Sequence, residues 1–355
     1  MTGRKEIDIP LNCFYVEEYP SENIFHGGIG NMDAEKIFME LGFRALVFPH
    51  RQNFSFRAKC ERLVFLIKTL SSLPSGSIIV YQFPLYATMN RWLIQALSRR
   101  KKFTLICFVT DIDGLKDGDG LVMEREIKEL RRHHYFIVHN KSMETWLKGF
   151  IPDAVTASID FFDFKAIPFR GNRKPGNEVV FAGNLFKSGF LRFLGDLPSG
   201  ENEPVFHLYG EGATDEIKSQ ANVRYMGIIP PYEIPSKLQG SYGLVWDGES
   251  VDALAGSLGN YMKHISHHKL SSYIIAGLPV IVPEHSAAAE LVAKYNIGVT
   301  VASLRDIKRR ISFITPEAYQ QMAANLQELS KSIVGGNGLR NAIGQLMKSI
   351  TEKAD

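Results

Sequence analysis

Short apolar runs alternate with amphipathic segments along the first half of the chain. Four runs predict strands, at residues 46–48, 77–81, 103–109 and 135–138. The segments between them carry apolar side chains at helical spacing and predict helices, at residues 33–41, 57–73, 89–100 and 124–132. Near-continuous apolar strands separated by helices are typical of a parallel sheet covered on both faces. We therefore predict a doubly wound α/β domain, whose ligands bind at the carboxyl ends of its strands.

The alternation stops at residues 164–177, where prolines, glycines and basic residues form a segment typical of a linker. It then restarts, with strands predicted at residues 178–182, 205–209, 242–246, 280–282 and 297–301. Further helices are predicted at residues 232–239, 269–276, 287–295, 316–333 and about 339–350. The pattern thus predicts two doubly wound, Rossmann-like domains facing a cleft, at residues 1–165 and 166–335, and a last helical segment at 336–355.

Composition narrows the classes of protein. A chain of 355 residues is longer than a single domain usually is, which favours two domains. Its contents of 45% hydrophobic and 22% charged residues are typical of a globular enzyme. A net charge of +3 is too small to indicate nucleic acid as a partner. Three widely separated cysteines favour reduced thiols, and hence a cytoplasmic location, over disulfides or a zinc site. We expect no signal peptide and no membrane-spanning segment.

The segment from His267 to Val282 is the most informative motif. It predicts an amphipathic helix that begins with a lysine, Lys269, and ends at a Gly-Leu-Pro turn before an apolar strand. A lysine in the first helical turn can bind an anion held at the positive end of the helix. The same pattern also occurs in α/β units that bind nothing, so this segment alone leaves both interpretations open.

Other strand ends of the second half carry candidate binding residues. Gly183 and Asn184 follow a predicted strand, and Lys187 lies close enough along the chain to pair with a phosphate. Tyr209 precedes Gly210 at another strand end, where it is either a core residue or part of a nucleotide site. Asp247 and Gly248 either form a simple turn or bind sugar hydroxyls through the carboxylate. Tyr225 is open to the same two interpretations as Tyr209.

The first half carries four weaker signals. A glycine-rich loop that includes Gly28 precedes a helix and could admit a diphosphate or an acceptor, while Asp33 could simply cap that helix. Asp111 and Asp113 end a buried strand and could act as a general base, or only cap the next element. His139 ends the following strand. The basic helix at residues 91–102 is either an ordinary solvated helix end or a contact with an anionic membrane.

Several of these segments together resemble one family, the bacterial GT-B transferases of surface-glycan and adhesin glycosylation, which include β-1,6-galactofuranosyltransferases and glucosyltransferases. The resemblance rests on the glycine loop, on residues 110–115, 137–143, 161–164, 181–185 and 243–248, and on His-Lys-Leu-Ser at residues 268–271. Two positions depart from the pattern of the family. Thr110 stands where a histidine is common, and His267 stands where a proline usually precedes His-Lys-Leu-Ser.

The resemblance implies a GT-B fold whose last helix crosses back to the first domain, and an enzyme that moves a hexose from a UDP-sugar to a glycan or glycoprotein. It implies metal-independent transfer without a cofactor, with Lys187 and Lys269 carrying the charge of the diphosphate. The residues that it suggests for nucleotide-sugar binding are Gly28, Gly183, Asn184, Leu185, Lys187, Tyr209, Gly210, Asp247, Gly248, His268, Lys269, Leu270 and Ser271. Candidate catalytic residues are Asp111, Asp113 and His139.

The same resemblance is compatible with a homo-oligomer and with a peripheral contact with the inner membrane. Two other functions fit the predicted fold. One is a UDP-sugar epimerase or a phosphorylase, since one fold hosts several chemistries. The other is a non-catalytic glycan-binding or scaffolding subunit, which has no need of two lysines facing a diphosphate.

Overall fold

The computed structural model describes residues 10–17, 28–47 and 55–353. Two stretches of the sequence prediction therefore lie outside the described residues, namely the first part of the glycine loop at 26–27 and the end of the predicted strand at Phe48. Within the described part of the chain, no helix combines the length and the apolar character needed to cross a bilayer.

The first domain is built on a sheet of six parallel strands in the order β2-β1-β3-β4-β5-β6. The strands are β1 (Cys13–Glu17), β2 (Arg44–Val47), β3 (Ile78–Phe83), β4 (Thr104–Val109), β5 (Tyr135–Val138) and β6 (Val155–Ser158). Because the strands are parallel, their carboxyl ends meet at one edge, where the predicted residues Asp111 and His139 follow β4 and β5.

Helices cover both faces of this sheet. They are α1 (Ile29–Glu40), α2 (Phe56–Ser72), α3 (Thr88–Lys101), α4 (Asp113–Asp117), α5 (Gly120–Leu130) and α6 (Lys141–Phe150). Alternate residues of β4 point to opposite faces, so Ile106 packs in the cluster that contains α1. Its neighbour Cys107 packs in the cluster that contains α2, α3 and α6. The near-continuous apolar strands are thus explained by burial on both faces.

The second domain repeats this plan with strand order β12-β11-β10-β7-β8-β9, again parallel throughout. Its strands are β7 (Glu178–Ala182), β8 (Val205–Tyr209), β9 (Val223–Gly227), β10 (Tyr242–Leu244), β11 (Val280–Pro283) and β12 (Gly298–Val301). Its helices are α7 (Asp215–Lys218), α8 (Ile234–Lys237), α9 (Gly256–Tyr261), α10 (His268–Ile275), α11 (Ala287–Tyr295), α12 (Ile307–Ser312) and α13 (Pro316–Val334). Short 3-10 segments lie at Leu185–Lys187, Gly189–Asp196, Pro231–Glu233 and Leu304–Asp306.

The last helix, α14 (Asn337–Glu352), belongs to the core of the first domain. Its apolar side packs with β5, β6 and α1. The carboxylate of Asp163 accepts hydrogen bonds from the backbone N–H groups of Gly338 at 3.1 Å and Leu339 at 2.7 Å, and so satisfies two N–H groups of the first helical turn. Burial raises the pKa of Asp163 to about 7. The chain therefore leaves the first domain after β6 and returns to it at its end.

The fold class predicted from the sequence is confirmed by the two parallel six-stranded sheets. Strands β7 and β8 and helix α11 have the predicted bounds, whereas β1, β6 and α6 were not predicted. Strand β6 lies at the edge of the sheet and reads Val-Thr-Ala-Ser, so it lacks the apolar run that marks a central strand.

One local prediction was wrong. Asp33 does not cap α1, which begins at Ile29 with Gly28 as its N-cap residue. Asp33 is instead fully buried and accepts hydrogen bonds from the backbone of Lys165 and from the hydroxyl of Tyr232. Its role is to tie the first domain to the linker and to the second domain.

Candidate active site

A cleft with a volume of about 300 Å³ separates the two domains at the carboxyl ends of their strands. The first domain contributes the first turn of α1 and the segments that follow β3, β4, β5 and β6. The second domain contributes the segment between β10 and α10. The lining residues are Gly30, Asn31, Pro84, Tyr86, Thr110, Asp111, Lys116, His139, Phe162, Asp247, Leu258, Tyr261, Ile265, Ser266, His267 and His268.

On the wall of the second domain, Lys269 pairs with Asp247. The ammonium Nζ lies 3.1 Å from Oδ1 and 2.9 Å from Oδ2 of the carboxylate, and 4.3 Å from the centre of the Phe181 ring. Gly183 leaves room for the lysine, because a Cβ at that position would lie 3.0 Å from Lys269 Cε. Since Lys269 stands in the first turn of α10, an anion at this place would meet both the ammonium and the positive end of the helix.

Three histidines line the cleft as neutral groups. Burial lowers the pKa of His139, of His267 and of His268 to about 4. At pH 7 they are therefore uncharged imidazoles, each able to donate one hydrogen bond and accept another. His267 Nε2 lies 3.4 Å from Asp247 Oδ2.

His139 and His268 also have ring nitrogens without a hydrogen-bond partner. His268 packs edge-on against the Phe164 ring, and its Nε2 has no hydrogen-bond partner. His139 lies against the backbone of β4, and neither ring nitrogen makes a hydrogen bond of ordinary geometry. Buried polar atoms are normally paired, so these nitrogens are suited to a ligand in the cleft.

On the wall of the first domain, Asp111 and Asp113 share Lys116. The ammonium donates to both carboxylates, at 2.6 Å to Asp113 Oδ1. The hydroxyl of Tyr261, which belongs to the second domain, donates to Asp111 and accepts the backbone N–H of Ile112 at 2.8 Å. Burial alone would lower the pKa of Lys116, but the two carboxylates raise it above its ordinary value. The pair of aspartates is thus a charge cluster that joins the domains rather than two free carboxylates.

Sequence reasoning did not single out Lys116 and Tyr261, nor the hydrogen bond from Asn140 Nδ2 to Ser266 Oγ at 3.0 Å across the domains. Lys116 stands five residues after Asp111, and this spacing was the available signal. Tyr261 lies 150 residues away from Asp111 in the sequence, and no local pattern indicates that the two meet.

The structure brings Asp111, His139, Asp247 and His268 together in the cleft, and Lys269 and Gly183 adjoin it through Asp247. Asp113 stands behind Lys116, outside the lining. Gly28, the N-cap residue of α1, also lies outside the lining, two residues before Gly30, which lines the cleft.

The remaining predicted residues lie outside the lining of the cleft. The Asn184 side chain accepts the N–H groups of Phe186 at 3.0 Å and Lys187 at 3.3 Å, and the Lys187 side chain is exposed. The Tyr209 ring is buried in the second-domain core, and its hydroxyl accepts the N–H of Gln239 at 3.0 Å. Leu185, Leu270 and Ser271 are buried.

Two glycines are required by close backbone packing. Gly210 has φ +134°, and a Cβ there would overlap the carbonyl oxygen of Gly183 at 1.8 Å. Gly248 has φ +111°, and a Cβ there would lie 2.4 Å from the carbonyl oxygen of Ala255. Both positions need glycine to hold the strand ends and the loop after β10 in place.

Among the residues that the structure describes, no three histidine, cysteine, aspartate or glutamate side chains converge as metal ligands do. Transfer without a metal or cofactor stays a prediction.

Two doubly wound domains and a cleft whose wall presents a lysine in the first turn of a helix define the class of GT-B glycosyltransferases. Residues 21–149 match the N-terminal domain model, and residues 179–346 the C-terminal domain model, of the Glucosyltransferase 3-like proteins. The chain belongs to this family of glycosyltransferases.

Named relatives and solved structures agree with that assignment. The chain is 25% identical to the β-1,6-galactofuranosyltransferase WbbI of Escherichia coli (strain K12), over 82% of this chain and 86% of that protein. It is 26% identical to Glucosyltransferase 3 of Streptococcus gordonii, over 85% of this chain and 88% of that protein. The fold is similar to that of Anabaena HepE, solved with UDP and glucose, at a TM-score of 0.63, 11% identity and 95% and 99% coverage of the two chains. Sucrose-phosphate synthase of Thermosynechococcus elongatus gives a TM-score of 0.63, 13% identity and 96% and 99% coverage.

Proposed function

We propose that this protein transfers a hexose, galactofuranose or glucose, from a UDP-sugar to a surface-glycan or glycoprotein acceptor without a metal ion. The observation that carries the proposal is the pairing of Lys269 with Asp247 at the first turn of α10, beside Gly183. Names of relatives support the choice of sugars, since they are a galactofuranosyltransferase and a glucosyltransferase. HepE, solved with UDP and glucose, supports the donor class.

Lys269 has the central role in this mechanism. Its charge is balanced by Asp247, and the diphosphate of the donor takes over that balance when it binds. As the bond between sugar and UDP breaks, negative charge grows on the departing diphosphate. A fixed ammonium and the helix N-terminus stabilise that charge more strongly than water does, because they are already oriented.

The carboxylate released by Lys269 remains beside the donor. Asp247 retains His267 as a neighbour at 3.4 Å and is free to accept hydrogen bonds from sugar hydroxyls. The imidazoles of His139 and His268 can donate to or accept from further hydroxyls, since both ring nitrogens of His139 and Nε2 of His268 lack partners. Neutral imidazoles suit this task because sugar hydroxyls are uncharged.

The wall of the first domain receives the acceptor in this proposal. Asp111 is held by Lys116 and Tyr261, so its position in the cleft is well defined. A carboxylate so placed can orient the attacking hydroxyl and accept its proton. Asp113 acts through Lys116, as a positioning residue rather than a catalytic one.

The first experiment is a thermal-shift and calorimetric comparison of UDP, GDP, UDP-glucose and UDP-galactofuranose, each with and without EDTA. A ligand that binds the folded protein raises its melting temperature by mass action. We expect selective stabilisation by UDP and a UDP-hexose, unchanged by EDTA. Loss of the effect in EDTA would contradict metal-independent binding.

Radioactive transfer from the stabilising donor to a glycan acceptor then tests the reaction itself. Interconversion of UDP-sugars without any acceptor would instead establish an epimerase. Failure to bind any nucleotide, combined with binding of a glycan, would establish a glycan-binding subunit. The cytoplasmic location, a homo-oligomer and the absence of nucleic acid as a partner stay predictions from the sequence.

A further inference from the structure

The outer faces of α2 and α3 carry apolar side chains that no part of the described chain covers. On α2, Phe56, Val64 and Ile67 lie on the side away from the sheet, with Phe56 83% and Val64 64% exposed. On α3, the neighbouring helix, Trp92 is 62% exposed. The opposite sides of both helices are buried in the core of the first domain. These outward faces of α2 and α3 are called the α2–α3 surface below.

The same surface is strongly basic. From Ser55 to Lys102 the chain holds nine lysine and arginine residues and a single acidic one, Glu61. The whole chain has 41 basic and 38 acidic residues, so the rest of the molecule is net negative. Arg99, Arg100 and Lys102 cluster with exposed side chains at the end of α3. Positive charge is thus concentrated where the exposed apolar side chains lie.

The α2–α3 surface reaches the mouth of the cleft. Both helices run back along the sheet from the carboxyl ends of the strands before them, so their first turns lie near the edge that faces the cleft. Tyr86, which lines the cleft, precedes α3 by two residues. From there the surface extends along α2, whose 17 residues span about 25 Å.

We propose that the α2–α3 surface docks on an anionic lipid bilayer. Basic side chains are attracted to the negative surface of a leaflet, while Trp92, Phe56 and Val64 enter the interface between headgroups and acyl chains. A second copy of the chain is a poorer occupant, because a two-fold contact would bring two positively charged surfaces together. The docked protein would hold its cleft close to the membrane, within reach of an acceptor carried by a lipid. The docking does not depend on the proposed donor.

Sedimentation with lipid vesicles tests the proposal on the full-length protein. We expect binding to phosphatidylglycerol–phosphatidylcholine vesicles, weak binding to phosphatidylcholine alone, and loss of binding in high salt. Replacing Arg99, Arg100 and Lys102 by Gln should weaken binding at least about 100-fold, since each charge near the surface adds substantially to the affinity. The matched control replaces Lys308, Arg309 and Arg310, which are exposed on α12 of the second domain, and should bind as the unchanged protein does.

Apolar insertion is tested separately. The Trp92→Gln variant should bind more weakly, whereas Phe313→Gln, at a residue 76% exposed on the second domain, should not. Tryptophan fluorescence should shift to shorter wavelength on binding, and the shift should vanish in the Trp92 variant, because the other two tryptophans, Trp146 and Trp246, already pack against the cores of the domains. Melting temperatures and UDP-induced stabilisation should be unchanged in these variants, which separates this proposal from that of the donor site.

Three results would overturn the proposal. One is equal binding by the α3 and α12 charge variants, which would indicate no localised surface. A second is preference for double-stranded DNA over vesicles with no effect of Trp92→Gln, which would assign the surface to a polyanion. Concentration-dependent dimerisation that Trp92→Gln abolishes, without vesicle binding, would assign the surface to a second copy of the chain and likewise contradict the proposal.

Discussion

The two walls of the cleft each place a lysine against a carboxylate, yet the two arrangements differ in what else holds the charges. On the second domain, Lys269 meets one carboxylate, Asp247, at the positive end of a helix. On the first domain, Lys116 meets two carboxylates, and Tyr261 adds a further hydrogen bond. Lys269 has a single carboxylate partner, so an incoming diphosphate can replace Asp247 at its ammonium. Lys116 is fully engaged, so its cluster is suited to hold the walls in position.

The comparison predicts its largest effect at Lys269. Lys269→Ala should lower kcat by about 100- to 1,000-fold, because removal of one preorganised charge-stabilising group costs about 3–4 kcal/mol in the transition state. The measurement is steady-state transfer from the UDP-hexose. The matched control, Lys263→Ala, removes an exposed lysine that donates only to Asn260 in the described structure and should keep its activity. Near-normal turnover in the Lys269 variant would refute the assignment.

Lys116 should show the opposite profile, with a larger effect on folding than on donor binding. Lys116→Met leaves Asp111 and Asp113 close together without their counter-ion, and the side chains concerned are only about a quarter exposed. We expect the free energy of unfolding to fall by about 2–3 kcal/mol, measured by urea denaturation. UDP should still raise the melting temperature. A Lys116 variant that is stable but no longer binds UDP would contradict this prediction, because it would assign donor binding to the lysine of the first domain.

A smaller effect is expected from pH, through the neutral histidines. The pKa of His139 falls from 6.5 to about 4 on folding, so the unfolded chain binds more protons between these values and stability declines as the pH falls through this range. From pH 7 to pH 5 the loss is about 2 kcal/mol for this histidine. His139→Gln should flatten the dependence of unfolding on pH, while His285→Gln, at an exposed histidine, should not. Equal slopes in both variants would contradict the burial of a neutral His139.

Much of the architecture was accessible from the sequence because burial on both faces imposes apolar runs. Strands such as Val179–Ala182 within β7 carry this signal directly, and Gly277 with Pro279 marks the end of α10. Gly277 takes φ +65° as the left-handed turn requires. Edge strands carry less of the signal: β6 has four residues and only one of them, Ala157, is buried.

The candidate site was predictable only in part. Lys269 and Gly183 were named separately, each from its position at a strand or helix end, and the structure places them in contact. Asp111 was predicted as well. The sequence did not show that Lys116 and Tyr261 bind its carboxylate and hold it in place. The hydroxyl of Tyr209 accepts the N–H of Gln239, a residue 30 positions away that no local pattern indicates as its partner.

By itself the sequence determined the class of fold, the order of most elements and the residue types available for chemistry, because these depend on local periodicity and on turn geometry. Only the tertiary structure decided which charges are balanced, which imidazoles lack partners and which apolar side chains stay in solvent. Many of these properties arise from contacts between residues far apart in the sequence, from 22 positions for Asp247 with Lys269 to 150 for Asp111 with Tyr261. A local pattern contains no information about such a neighbour.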